Sequence, residues 1–152
     1  MTHRATLGFD RKLELPWLDA AAAAAARGEP PAVARDYLYR LLAGVVAGHG
    51  PHSGRGKTIT VLARVWLSPS PTAEALRARA LALVSAATPA ERLAIHWAMC
   101  AATHPFFVDT GSVVGRLLRV QGNASLSQVV RRVAETWGDR STLQRAVQRV
   151  CR

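Results

Sequence analysis

Apolar residues along this chain recur at intervals of three and four, the rhythm of helices that bury one face. In "YLYRLLAGVVA", Tyr37, Leu38, Leu41, Leu42, Val45 and Val46 keep that spacing and predict a helix over 32–47. A helix before it starts near Pro16 and runs through "WLDAAAAAAARG", until Gly28 and Pro30-Pro31 stop it; alanine favours the helix and this Gly/Pro pair cannot continue it. A third, "KTITVLARVWL", puts Ile59, Leu62, Ala63 and Trp66 on one side, although its β-branched residues leave a strand open. "SPSPT" breaks the pattern, and Ser70-Pro71 can open a fourth helix, "TAEALRARALALVSA".

Capping chemistry marks the later starts. Thr88-Pro89-Ala90-Glu91 is a capping box with Pro at the first helical position, so a fifth helix begins there and ends before Pro105. A sixth, "PFFVDTGSVVGRLLRVQG", ends at Gly122, and Ser125-Leu126-Ser127-Gln128 is a second capping box opening a seventh that closes at Trp137-Gly138. An eighth runs from about Ser141 to the C-terminus. There is no internal repeat. The pattern predicts an all-α protein, a compact bundle of about eight helices. It has an N-terminal lobe over 1–87, with a basic Gly-rich loop at 48–57, and a C-terminal lobe over 88–152.

The loop raises a question of chemistry. "GPHSGRGKT" ends in Gly56-Lys57-Thr58, as a nucleotide-binding P-loop does. Counting back from Gly56, the first glycine of that motif falls on Pro51, which has no N–H for a phosphate. The segment before the loop has helical spacing, where a P-loop needs a buried strand. The stretch reads as a basic turn that starts the next helix.

Charge changes the picture more than composition does. The net charge is +10, and eighteen of the twenty basic residues are arginine. Such a balance concerns partners and points to nucleic acid, an acidic protein or an anionic surface. No apolar run approaches the roughly eighteen residues of a membrane span, and the opening "MTHRATLGFDRKLELPW" carries charges throughout, with no leader-like apolar core. Cys100 and Cys151 show no pairing pattern and fit a reducing cytoplasm.

The most informative stretch is "SLSQVVRRVAETWGDRSTLQRAVQRV". In the seventh helix Leu126, Val129, Val130, Val133 and Trp137 share a face, and in the eighth Leu143, Ala146, Val147 and Val150 do the same. A three- to four-residue turn containing Gly138 joins them, which is the layout of a helix-turn-helix over 125–152. With that stripe inward, Gln144, Arg145, Gln148, Arg149 and Arg152 point outward. Arg and Gln pair bidentately with guanine and adenine edges in the major groove, so Gln144, Arg145, Gln148 and Arg149 are the candidate base readers. The candidate phosphate contacts are Arg55, Lys57, Arg131, Arg132, Arg140, Ser141, Thr142 and Arg152; Ser141 and Thr142 sit where helix N–H groups favour an anion. From Gly111 onward eight arginines stand against Glu135 and Asp139, the electrostatic footprint of a phosphate-binding surface.

Other constellations carry less. His96, Cys100 and His104 share a helical face and are zinc-ligand types. Three ligands stacked on one straight helix span about 12 Å at ~1.5 Å per residue, too far for one ion. Two could bind only with a partner such as His49 or His52. Trp97, Met99, Phe106 and Phe107 read as core, and Asp109 and Asp139 as caps or arginine partners. No spacing suggests paired carboxylates or a nucleophile with its base. The sequence therefore predicts no enzyme, no cofactor, no metal and no small-molecule ligand.

The stretch "ERLAIHWAMCAATHPFFVDTGSVVGRLLRVQGNASLSQVVRRVAETWGDRSTLQRAVQRV" resembles the BrxA family of BREX phage-defence systems. The resemblance lies in Glu91-Arg92-Leu93 opening a helix, the Pro105-Phe106-Phe107 break, Trp137-Gly138 before the last helix, and "SGRGKTITVLARVWL" as a short basic stretch. It covers about residues 50–152. It implies a helical, NusB-like arrangement with a helix-turn-helix, and a non-catalytic, cytoplasmic, double-stranded DNA-binding accessory of a prokaryotic defence system, with other defence proteins as partners. The chain stops at the end of the eighth helix, which leaves no room for a winged form. Three rivals stay open: a NusB-like RNA-binding module, a protein adaptor using its basic face with Trp17, Trp66 or Phe106 exposed, and a metal-dependent enzyme.

Overall fold

The computed structural model describes residues 6–152. Among them are eight helices and no strand: α1 (Leu15–Ala26), α2 (Pro31–Leu41), α3 (Gly54–Trp66), α4 (Pro71–Val84), α5 (Pro89–Thr103), α6 (Pro105–Gln121), α7 (Leu126–Trp137) and α8 (Leu143–Val150). The all-α reading holds, and no described helix is long and apolar enough to cross a membrane. The absence of a leader was read from a stretch that begins at residues 1–5, outside the described residues.

The chain divides into two compact units. One is Lys12–Thr103 and holds α1 to α5; the other holds residues 6–11 together with His104–Arg152, and so α6 to α8. The division falls at Thr103 and His104, where the sequence suggested 87/88. The Thr88–Glu91 box does begin α5, with Glu91 Oε2 accepting from the Thr88 N–H at 2.7 Å and its hydroxyl at 2.8 Å. These donors hold the Glu91 carboxyl below its ordinary value. A helix start is not a domain boundary, however, and α5 packs on α1, α3 and α4.

In the five-helix unit α1 touches each of the other four helices. Its alanines explain how. Ala21, Ala22, Ala24 and Ala25 are buried, and side chains this small let neighbouring helix axes come close. The low-complexity run is therefore a packing surface. α3 is enclosed on most sides, with Ile59, Val61, Leu62, Ala63, Val65 and Trp66 buried. Its threonines fit the helix by bonding back to it, Thr58 Oγ1 to Gly54 O and Thr60 Oγ1 to Gly56 O, both at 3.0 Å. The strand alternative is thereby excluded.

Two expectations about faces are corrected. α2 ends at Leu41, and Val45, placed on its apolar stripe by spacing, is exposed in the turns that follow. Met99 and Phe106 are core, but Trp97 is 59 % exposed because α5 turns His96, Met99 and Cys100 inward instead.

A buried polar chain links α1, α3 and α5. Trp66 Nε1–H donates to His96 Nδ1 at 3.0 Å, and His96 Nε2 lies 2.8 Å from Asp19 Oδ1, which also accepts from Arg92 Nε at 3.1 Å. With Nδ1 accepting, the proton of a neutral His96 sits on Nε2 and faces the carboxylate. Burial pushes the His96 pKa down; the Asp19 hydrogen bond and charge oppose this, and Arg92 adds to the lowering. His96 contributes stability fully above its unfolded value of 6.5, and that stability is lost as pH falls below it, because the unfolded chain then binds the proton more readily.

In the three-helix unit α6, α7 and α8 all touch one another. Leu7 and Phe9 are buried, and the Phe9 ring lies 5.3 Å from those of His104 and Phe107.

Two outcomes follow from the five-helix unit. Ala24→Leu overfills the α1 junction and lowers stability by about 1–3 kcal/mol, whereas Ala23→Leu, on the exposed side, changes it by less than about 0.5 kcal/mol; urea unfolding measures both. Unfolding at pH 7.5, 6.0 and 5.0 shows wild type losing up to about 1.4 kcal/mol per pH unit below pH 6.5 more than His96→Gln does. Parallel pH profiles would remove His96 from the account.

Candidate nucleic-acid interface

The helix-turn-helix candidate is built from three local features. Gly122 ends α6 in the left-handed region, at φ 76°, with its N–H on Leu118 O. The predicted capping box then starts α7, with Ser125 Oγ accepting from Gln128 N–H at 3.3 Å and Gln128 Oε1 accepting from Ser125 N–H at 3.0 Å. α7 buries Val129 and Val133, while Leu126 and Val130 lie at the edge of its apolar face.

The C-terminal end of α7 is fixed by Trp137. Its ring stands edge-on to buried Phe106 at 5.2 Å, and its Nε1–H donates to Asp109 Oδ2 at 2.9 Å. Asp109 was read as a cap or arginine partner; it serves instead to hold an indole between α6 and α7. Residues 138–142 form the connection, longer than the three to four residues expected, because α8 starts at Leu143 rather than near Ser141. Arg140 Nη2 donates to Trp137 O at 2.9 Å and closes the turn. Arg140 is half-buried, as Gln148 and Arg149 of α8 are.

α8 buries Leu143, Ala146 and Val147 and keeps Val150 half-buried. Its outer face therefore carries the expected readers: Gln144 and Arg145 are exposed, and Gln148 and Arg149 are half-buried. No acidic residue lies on this helix. Ser141 and Thr142 are exposed at its start, and the Thr142 side chain makes no cap bond. Arg131 and Gln144 line one groove of about 600 Å³ with Ser127, Val130 and Asp139. Arg132 is exposed and paired with Glu135 at 3.2 Å, a surface pair that weakens it little as a cation. Arg152 is exposed and lines a different recess, together with Gln148.

Arg55 and Lys57 belong to the other unit. Arg55 is 6 % exposed; Nε donates to Val46 O and Nη2 to Ala43 O, each at 2.9 Å. It caps carbonyls left open in the turns after α2, and its burial removes Arg55 from the phosphate contacts. Lys57 is exposed. Gly56 of "GPHSGRGKT" serves the same local packing. A Cβ at Gly56 would run into the carbonyl oxygens of Gly50 and Pro51, and Ser53 Oγ accepts the Gly56 N–H at 3.0 Å to start α3. The P-loop likeness ends in a helix cap.

Among the described residues no three His, Cys, Asp or Glu side chains converge on a metal position. His96, a candidate ligand, has both ring nitrogens engaged, and burial pushes the Cys100 thiol up to about 12. No family model, curated protein or solved structure matches the chain.

Arg55→Ala is expected to lower stability by about 1.5–3 kcal/mol, the worth of charged hydrogen bonds, while Lys57→Ala shifts it by less than about 0.5 kcal/mol. Thermal or urea unfolding separates the two. Equal, small effects would return Arg55 to the surface contacts.

Proposed function

We propose that the protein is a non-catalytic double-stranded DNA-binding accessory in which α7 and α8 act as a helix-turn-helix. One observation carries this reading. Burial of Leu143, Ala146 and Val147 leaves Gln144, Arg145, Gln148 and Arg149 as an outward row with no carboxylate among them. Those side chains have the donor geometry for guanine and adenine edges. Arg131, which shares a groove with Gln144, and Ser141 and Thr142 at the start of α8 would take phosphates, with Arg132 and Arg152 as further cations of this unit and Lys57 as a separate contact on the five-helix unit. An eight-residue reader spans about 12 Å at ~1.5 Å per residue, enough to lie in one major groove, which is about 12 Å wide.

Duplex DNA is preferred over single-stranded RNA because RNA readers stack unpaired bases on exposed aromatics. In the three-helix unit Phe106 is buried and Phe107 and Trp137 are half-buried. The adaptor reading asked for an open Trp17, Trp66 or Phe106, and all three are buried. The setting proposed with this function, a cytoplasmic prokaryotic anti-phage system with NusB-like helix order and defence-protein partners, rests on the BrxA resemblance.

Fluorescence anisotropy with duplex DNA, over 50 to 200 mM salt, tests the reading. Arg145→Ala/Arg149→Ala is expected to weaken binding at least about tenfold, since a bidentate base contact is worth ~1–3 kcal/mol. Arg131→Ala should lower the salt slope by about one. Duplex binding that survives the double substitution unchanged contradicts α8 as the reader.

A further inference from the structure

A recess of about 340 Å³ opens where α6, α7 and the end of α8 meet. Val114, Leu118, Ala124, Leu126 and Val129 line it with apolar surface, and Gln148, Cys151 and Arg152 stand at one side. Its volume lies in the range of small-molecule sites, which begins near ~300 Å³. Two of its large apolar side chains remain open to water, Leu118 at 48 % and Leu126 at 36 % exposure, while Val129 is buried at its floor. The one charged side chain in the lining is Arg152, and no acidic side chain lies with it. A ligand that fits this lining has an apolar body and an anionic end. A guanidinium and a side-chain amide in one lining offer N–H donors to a planar carboxylate.

We infer that this recess binds a small hydrophobic carboxylate, and that its occupancy alters DNA binding through α8. The acid's hydrocarbon covers Leu118 and Leu126, and its carboxylate meets Arg152 and Gln148. Gln148 is also one of the proposed base readers, half-buried between the two roles. A ligand that engages Gln148 withdraws it from the DNA face, so acid and duplex compete for one side chain. The coupling rests on the DNA-binding reading; the binding site does not. It departs from the sequence reading, which anticipated no small-molecule ligand, because the lining is gathered from residues spread over 114–152.

Octanoate and 1-octanol are the probes, and Cys151 is the reporter. Cys151 is exposed whereas Cys100 is buried, so alkylation of the folded protein at pH 8.5 reads Cys151. Octanoate is expected to slow that alkylation saturably and to show saturable heat by calorimetry, with 1-octanol at least about fivefold weaker. Arg152→Gln, a surface change that leaves the core intact, should cancel the preference for the acid. Ala124→Phe, which fills the recess, should abolish binding of both. Octanoate that gives no saturable protection, or that binds equally well to Arg152→Gln, overturns the site. Anisotropy with duplex DNA is run in parallel. Saturating octanoate should weaken duplex binding by about fivefold or more, within the usual span of coupling between sites, and the effect should shrink in Gln148→Ala to the part carried by Arg152. Saturable octanoate binding with unchanged DNA affinity overturns the coupling and leaves the site. Octanoate binding by a protein with no affinity for duplex overturns the DNA reading instead.

Discussion

An eight-residue helix does not hold itself together in water. α8 exists because Leu143, Ala146 and Val147 are buried against α6 and α7. Everything proposed for function depends on that one-sided burial. It sets which side chains face out, and it fixes their direction to within the tolerance of a packed core. The turn before α8 is held by the same economy of contacts. Trp137 stands edge-on to Phe106 and is bonded to Asp109, and Arg140 closes onto the Trp137 carbonyl. A helix presented in this way carries its polar row on a rigid support, as a site needs.

The five-helix unit solves a different problem. It packs four helices around one by making the central one of alanine, then adds specificity with polar contacts. The chain from Trp66 through His96 to Asp19 and Arg92 ties α3, α5 and α1 in one register. Its members satisfy one another, so the burial of a histidine beside a half-buried carboxylate is tolerated. Arg55 works in the same manner by capping carbonyls beyond α2. A strongly basic chain thus spends some of its cations on its own backbone, and net charge alone overstates the surface available to a partner.

Much of this was legible in the sequence. Spacing and capping boxes located all eight helices, because Ser125 with Gln128 and Thr88 with Glu91 act locally. The inward face of α8 was legible too, since periodicity determines it. What escaped was non-local. Nothing in "GRGKT" says that the arginine turns back to carbonyls nine and twelve residues away. Nothing in α5 says that His96, rather than Trp97, faces the core. Asp109 and Trp137 are 28 positions apart, and the recess beside α8 draws on three helices and a loop. The unit boundary was misplaced for a related reason: a strong helix start at Thr88 looks like a division, yet packing assigns the helix that follows it.

The central claim is that the outer face of α8 meets the major groove. Amide NMR titration of the protein with a short duplex tests it most directly. The account predicts the largest shifts at Gln144, Arg145, Gln148 and Arg149, smaller ones at Arg131, Ser141 and Thr142, and none at Arg55 or His96. Shifts concentrated on the five-helix unit, or spread evenly over every exposed arginine, would contradict it.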